Sequence, residues 1–190
     1  MAVFKVAYDI TLAHEGGFSN DKIDRGGATN YGISIVTLKR IASENDGREF
    51  LDRIGVILPI TENSVKMINK GQCEAIYKVE YWNPLKLGTV SQNIANILFD
   101  MSVLHGRGNA VRIAQKALNK FLSRTGVEIS VDGILGPITR GYLQGNSQVI
   151  MPYIVEERNN FCLNIVKKDP SQQRFIKGWL SRSNSFLNEV

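Results

Sequence analysis

Residues 15 to 33 read Glu15-Gly-Gly-Phe-Ser-Asn-Asp-Lys-Ile-Asp24-Arg-Gly-Gly-Ala-Thr29-Asn-Tyr31-Gly-Ile33. No other segment constrains the fold as strongly. Apolar residues at helical spacing run up to it, and Gly16-Gly17 then stops that helix. The clustered glycines, asparagines and aspartates that follow rule out both a long helix and a long strand. The chain must turn here, and it turns while carrying the carboxylates of Glu15 and Asp24 and the hydroxyl of Thr29.

The first helix is expected from about Val3 to Glu15, with Val3, Val6, Ala7, Ile10 and His14 on one face. Phe4, Tyr8 and Leu12 widen its apolar surface, leaving Lys5 and Asp9 as a polar strip, so burial on most sides is expected. The loop should continue as a short β-hairpin or irregular turn into a helix near 34–42. Residues 44–60 carry breakers and resist placement, and a helix or helix pair spans about 61–82, ended by Asn83-Pro84. A helix near 91–105 comes next. The clearest amphipathic helix opens at Asn109 as N-cap, with Ala110, Val111, Ala114, Ala117, Leu118, Phe121 and Leu122 inward. Arg112, Gln115, Lys116, Asn119 and Lys120 should face outward. Pro137 marks the first position of another helix, and two more fill about 147–168 and 171–184. The chain is therefore mainly α with one small β-hairpin. A lobe boundary near 84–91 divides it into 1–88 and 89–190, with helices apolar enough to pack as one unit.

The 190 residues suffice for one substantial domain, and 43% apolar with 22% charged residues is an ordinary globular balance. No apolar run approaches the ~20 residues a membrane span needs, so stable membrane insertion is not expected. The N-terminus lacks the pattern of a signal peptide. The net charge of +5 suits an anionic polymer, but the basic residues are scattered and not interleaved with aromatics, which argues against nucleic acid. Cys73 and Cys162 sit among apolar neighbours and read as two buried thiols, and no Cys/His cluster has metal-ligand spacing. No metal or organic cofactor is implied.

Helical spacing puts Glu15 on the side of Phe4, Tyr8 and Leu12. A carboxyl group beside apolar side chains loses solvation in its charged form, so it can hold a proton near neutral pH and give it to a leaving oxygen. A helix C-terminus is a poor place for a purely structural Glu. Asp24, after eight intervening residues, either caps its turn or holds a water and steadies positive charge on a sugar ring. Thr29, after four more intervening residues, is a strand former or a ligand of the same water. Tyr31, Tyr81, Trp82 and Trp179 are either core aromatics or flat surfaces for a pyranose ring, and Tyr31 is the first choice for substrate contact. His105 reads as a core histidine, and Asp132 as structural in its turn.

The ordered motifs Glu15-Gly-Gly-Phe and Asp24-x-Gly-Gly-x-Thr29-x-x-Gly32-Ile33 resemble the glycoside hydrolase family 108 muramidases. Ala75 to Asn83 with its Tyr81-Trp82 pair, Phe99-Asp100 to Gly106, and Phe175 to Arg182 continue the resemblance. Ala110 to Leu118 with Asp132-Gly-Ile-Leu-Gly-Pro-x-Thr139 resembles a peptidoglycan-binding region. The resemblance implies a lysozyme-like helical fold with the hairpin beside a catalytic helix. It also implies cleavage of the β-1,4 bond between N-acetylmuramic acid and N-acetylglucosamine. Glu15 takes the place of the catalytic acid. Glu15, Asp24 and Thr29 resemble the Glu-Asp-Thr set of phage-type lysozymes, with one residue fewer before the threonine.

The leading expectation is a hydrolase of bacterial peptidoglycan with catalytic Glu15, Asp24 and Thr29 and with Tyr31, Tyr81 and Trp82 toward the substrate. A water between the carboxylates implies inversion. A lytic transglycosylase needs no second carboxylate, so Asp24 argues against it, and a non-catalytic wall-binding module would not need the trio. Without a signal peptide, synthesis is expected in the cytoplasm, with action in the periplasm or wall after release by a holin or a dedicated export system.

Overall fold

The computed structural model describes residues 1–14, 16–19 and 27–188, and these form two compact units. One comprises Tyr8–Glu80, the other Met1–Ala7 with Tyr81–Val190. Ten α-helices and one two-stranded sheet are found among the described residues, in keeping with the mainly α expectation.

Helix α1 (Phe4–Leu12) is shorter than its apolar pattern, and its phase also differs from the expected one. Ala7, Tyr8 and Thr11 are buried, whereas Val3, Val6 and His14 are exposed. The buried stripe runs through Ala7, Tyr8 and Thr11, and half-buried Phe4 continues it at a spacing of three, so the aromatic side of the helix takes the core and the valine side is left to solvent.

In the smaller unit, β1 (Thr29–Asn30) pairs antiparallel with β2 (Ile33–Ser34), Thr29 opposite Ser34 and Asn30 opposite Ile33. Ser34 then caps α2 (Ile35–Ser43), its hydroxyl accepting from the Thr37 N–H at 3.1 Å. The stretch that resisted placement contains α3 (Gly47–Arg53). A side chain at Gly47 would put Cβ 1.9 Å from the Ile41 carbonyl oxygen, so only glycine lets α3 start against the end of α2. The expected helix pair is α4 (Glu62–Lys66) and α5 (Lys70–Tyr77), each opened by a capping box, Thr61 with Ser64 and Asn69 with Gln72. Lys78–Trp82 follows as a π-helix. Ile33, Leu38, Leu51, Val65, Cys73, Ile76 and Tyr77 are fully buried.

In the larger unit, α6 (Gln92–His105) is buried without a break from Ile94 to Ser102, the mark of a helix surrounded by protein. Helix α7 (Arg107–Leu122) packs on α6 and on α9 (Met151–Lys168), which in turn packs on α10 (Ile176–Ser185). Helix α8 (Pro137–Gly145) opens with Pro137 as expected. Asn109 lies inside α7 rather than capping it, and its amide donates to the His105 carbonyl at 2.9 Å. Gln115 is 1% exposed, not outward-facing, because the loop before α8 folds over it. Both cysteines are buried free thiols.

Inside this unit the Asp100 carboxylate, 0% exposed, takes 2.5 Å from Arg158 Nη2 and 2.7 and 2.9 Å from Arg182 Nη2 and Nε. One carboxylate thereby joins α6, α9 and α10. Burial by itself raises the Asp100 pKa, but the two guanidiniums outweigh it and hold the group below the usual carboxylate range. His105, its ring tilted against that of Phe161 at 4.9 Å, is pushed down to about 3 by burial and then by Arg158. It is therefore neutral at physiological pH, the core role read from sequence.

Removing one member of a buried ion cluster strands charge, at a cost of about 3–5 kcal/mol. Asp100→Ala should lower the urea midpoint by that equivalent, measured by circular dichroism at neutral pH. His105 has a folded pKa below its unfolded value of ~6.5, so the unfolded chain binds the extra proton and stability falls as pH drops from ~6.5 toward ~3. His105→Gln should flatten that part of the stability profile while leaving stability above pH ~7 little altered.

Candidate active site

The hairpin is the part of the site that the structure describes most fully. Its two-residue turn is Tyr31-Gly32, with φ 47° and 74°. Two positive φ values match the turn that follows the strands' twist, and glycine carries the second without strain. Tyr31 holds its left-handed conformation because its carbonyl accepts from the Tyr77 hydroxyl at 2.9 Å and from the Cys73 thiol at 3.5 Å. Asn30 is buried, and its Nδ2 donates to the carbonyls of Val65, Lys66 and Ile68 at 3.2, 3.1 and 3.3 Å. Those carbonyls lie at the C-terminal end of α4, where helical partners run out. One side chain thus satisfies the helix end and fixes the hairpin against it.

Thr29 is held along both edges of its backbone. It faces Ser34 in the sheet, and it exchanges two 2.8 Å bonds with Ser19, N–H to C=O in each direction. Ile35 N–H closes the base on the Ala28 carbonyl at 2.9 Å. The Ser19 pairing brings together the two ends of the sequence that contains Asp24. Glu15 and Asp24 themselves lie outside the described residues.

Of the six residues assigned from sequence, Thr29 and Tyr31 are neighbours on this anchored hairpin. Tyr81 and Trp82 belong to the π-helix. Tyr81 is half-buried, while Trp82 is 7% exposed and packs edge-on to Phe4 and Phe99 at 5.5 and 6.0 Å. Trp82 thus takes the core-packing alternative left open for it. Asp132 is structural, its Oδ1 accepting from Gln115 Nε2 at 2.7 Å and the Ile134 N–H at 2.8 Å.

Sequence reasoning missed the anchors Asn30 and Tyr77. Asn30 sits inside a recognisable turn motif, but its partners are more than thirty residues away. It also missed an open cleft of about 600 Å³ beside the α2–α3 turn, lined by Glu44, Asp46, Glu49, Phe50, Arg53 and Glu80. Glu44 and Glu80 there are both paired to Arg40, so they are engaged in structure. Among the described residues no group of three or more His, Cys, Asp and Glu side chains could hold a metal ion. No helix among them is long and apolar enough to cross a membrane.

The family model described as Glycosyl hydrolase 108 matches residues 8–106, and the one described as Predicted Peptidoglycan domain matches residues 109–184. The first range contains the whole hairpin and every candidate catalytic position. Among solved structures, SagA of Brucella abortus shares the fold, with a TM-score of 0.75 and 24% sequence identity over 98% of this chain and 92% of that one. No curated protein matches.

The hairpin anchor can be measured directly. Asn30→Ala removes the Nδ2 donor from the Val65, Lys66 and Ile68 carbonyls, of which Val65 keeps the Ile68 N–H, and should cost about 1–3 kcal/mol. Asn30→Asp should be worse, since it replaces the donor by a carboxylate facing those oxygens. Urea unfolding ranks the two, and hydrogen exchange should show faster exchange of the Thr29 and Ser19 amides in both.

Proposed function

Because the chain belongs to the glycosyl hydrolase 108 family and is a peptidoglycan hydrolase, we propose that it cleaves the β-1,4 bond between N-acetylmuramic acid and N-acetylglucosamine, with Glu15 as the general acid. The family match over residues 8–106 carries the reading, since it spans Glu15, Asp24 and Thr29 in one segment whose described ends are paired at Ser19 and Thr29.

Glu15 gives its proton to the glycosidic oxygen as the bond to the anomeric carbon breaks. Positive charge grows on the sugar ring, and Asp24 faces it with a carboxylate. A water held by Asp24 and Thr29 attacks the anomeric carbon, and its proton passes to Asp24. A water entering from the face opposite the leaving group inverts the anomeric centre. The rigid backbone of Thr29 makes its hydroxyl a fixed point for that water, which is worth rate because a held nucleophile loses little further entropy. Tyr31 at the hairpin tip offers its ring to a pyranose face. The protein reaches its substrate after release by a holin or through a dedicated export system, and acts in the periplasm or wall. Its positive net charge favours contact with anionic wall polymers.

A positioned general acid contributes about 10²–10⁴ in rate. Glu15→Gln should therefore reduce clearing of purified cell walls by roughly that factor while its far-UV circular dichroism and melting temperature stay unchanged; near-normal lysis would contradict the assignment. Tyr31→Asn tests the ring separately, because asparagine tolerates the positive φ at the turn. It should raise KM on soluble glycan fragments with little change in kcat.

A further inference from the structure

Thr29 and Ser34 stand directly opposite each other in the hairpin. Both backbone groups of Thr29 are committed to Ser19, N–H to C=O and C=O to N–H, each at 2.8 Å. They therefore point away from Ser34. Thr29 and Ser34 exchange no backbone bond and form the closer kind of antiparallel pair, with Cα atoms about 4.5 Å apart and side chains nearest to each other. Successive residues of a strand face opposite ways. Asn30 is buried at 5% exposure and Ile33 at 0% on one face, so Thr29 and Ser34 share the other, where both are half-buried. Two hydroxyls thus lie side by side at the strand position that the proposed mechanism uses. Ser34 is the fixed member of the pair. As the cap of α2 its Oγ accepts from the Thr37 N–H at 3.1 Å, and it lies 3.0 Å from Thr37 Oγ1. Thr29 is the movable member: its hydroxyl bonds no other group among the described residues, and rotation between staggered χ1 wells re-aims it.

The direction of each hydrogen bond decides what this pair can do. A water that attacks the anomeric carbon uses a lone pair, so it must be held by its hydrogens. Asp24 accepts one of them, and Thr29 Oγ1 must accept the other. The proton of Thr29 then has to point elsewhere, because a hydroxyl that offers it to the water holds the water the wrong way round. A serine hydroxyl has one proton and two lone pairs. In Ser34 one lone pair takes the Thr37 N–H, and the proton goes to Thr37 Oγ1. The second lone pair stays open toward Thr29. We propose that Ser34 is a positioning residue for the reaction: it accepts the Thr29 proton and so leaves a Thr29 lone pair turned to the water. The hydrogen bonds then run one way, from water to Thr29 to Ser34 to Thr37, and the first turn of α2 anchors them. This rests on the reading of the chain as a hydrolase whose water is held by Asp24 and Thr29, and it adds a residue that touches neither water nor substrate.

The test measures kcat and KM of the full chain on soluble glycan fragments, with circular dichroism and melting temperature recorded for every variant. Glycine serves at a helix N-cap almost as well as serine, so Ser34→Gly deletes the hydroxyl with little loss of stability. It should lower kcat roughly two- to tenfold, the worth of one neutral hydrogen bond, and leave KM unchanged. Ser34→Thr keeps both the cap and the hydroxyl and should hold kcat within about twofold of the unmodified chain. Thr29→Val removes the other hydroxyl at nearly constant shape and should lower kcat at least as far. Adding Ser34→Gly to Thr29→Val should then lower kcat no further, because residues that act through one another are not additive. Unchanged kcat in folded Ser34→Gly, a rise in KM in place of the fall in kcat, no recovery with Ser34→Thr, or an undiminished further loss in the Thr29→Val background would each overturn the proposal. Two failures remain distinct. An impaired Thr29→Val beside an unimpaired Ser34→Gly overturns the role of Ser34 alone, whereas full kcat in Thr29→Val, or no cleavage by the unmodified chain, overturns the reading beneath it.

Discussion

Asp100 is the fixed point of the larger unit. A single buried carboxylate receives guanidinium groups from helices 58 and 82 residues further along the chain. The desolvation of three charged groups is tolerable only because they face each other at hydrogen-bond distance. The cluster carries one more positive charge than negative, and this shapes its surroundings. His105 nearby is kept neutral, and the Arg158 guanidinium lies 5.5 Å from the Phe186 ring, whose electron-rich face accepts the surplus cation. Apolar packing of α6, α7 and α9 supplies the bulk of the core, but the ion cluster sets which turn of α9 and of α10 faces α6.

The smaller unit relies on neutral anchors instead. Asn30 and Tyr77 each satisfy carbonyls that the turn and the α4 terminus would otherwise leave open. They also hold the hairpin in a conformation that Tyr31 would not choose by itself. Strain at a binding loop persists when its surroundings over-determine it, and here two side chains and a cross-strand bridge do so. The result is a backbone held firmly at Thr29, the residue that the proposed mechanism asks to hold its water.

Local rules made much of this legible. Clustered turn residues gave a hairpin or irregular turn, of which the hairpin is found, proline at a first helical position gave α8, and 3.6-residue periodicity gave the inward face of α7. Where the reading failed, a distant partner had overruled a local preference. Asn109 has the chemistry of a cap, yet the helix had already begun at Arg107 after Gly106. Gln115 looks like a surface residue until the 129–134 loop closes over it. The valine side of α1 is as apolar as its aromatic side, and only the surrounding core decides between them. Phe99-Asp100 and Arg182 were visible as motifs, but nothing local says that they pair. At the site, the residue types and their order pointed to Glu15, Asp24 and Thr29, while the anchors that make Thr29 rigid were invisible because their partners are remote.

The most direct test is the chemical identity of the cut end. Purified walls digested by the protein, reduced with borohydride and analysed by mass spectrometry should yield new reducing ends on N-acetylmuramic acid, each fragment having gained one water. Reducing ends on N-acetylglucosamine, or 1,6-anhydro products lacking that water, would contradict the account of a muramidase in which Glu15 protonates and a held water attacks.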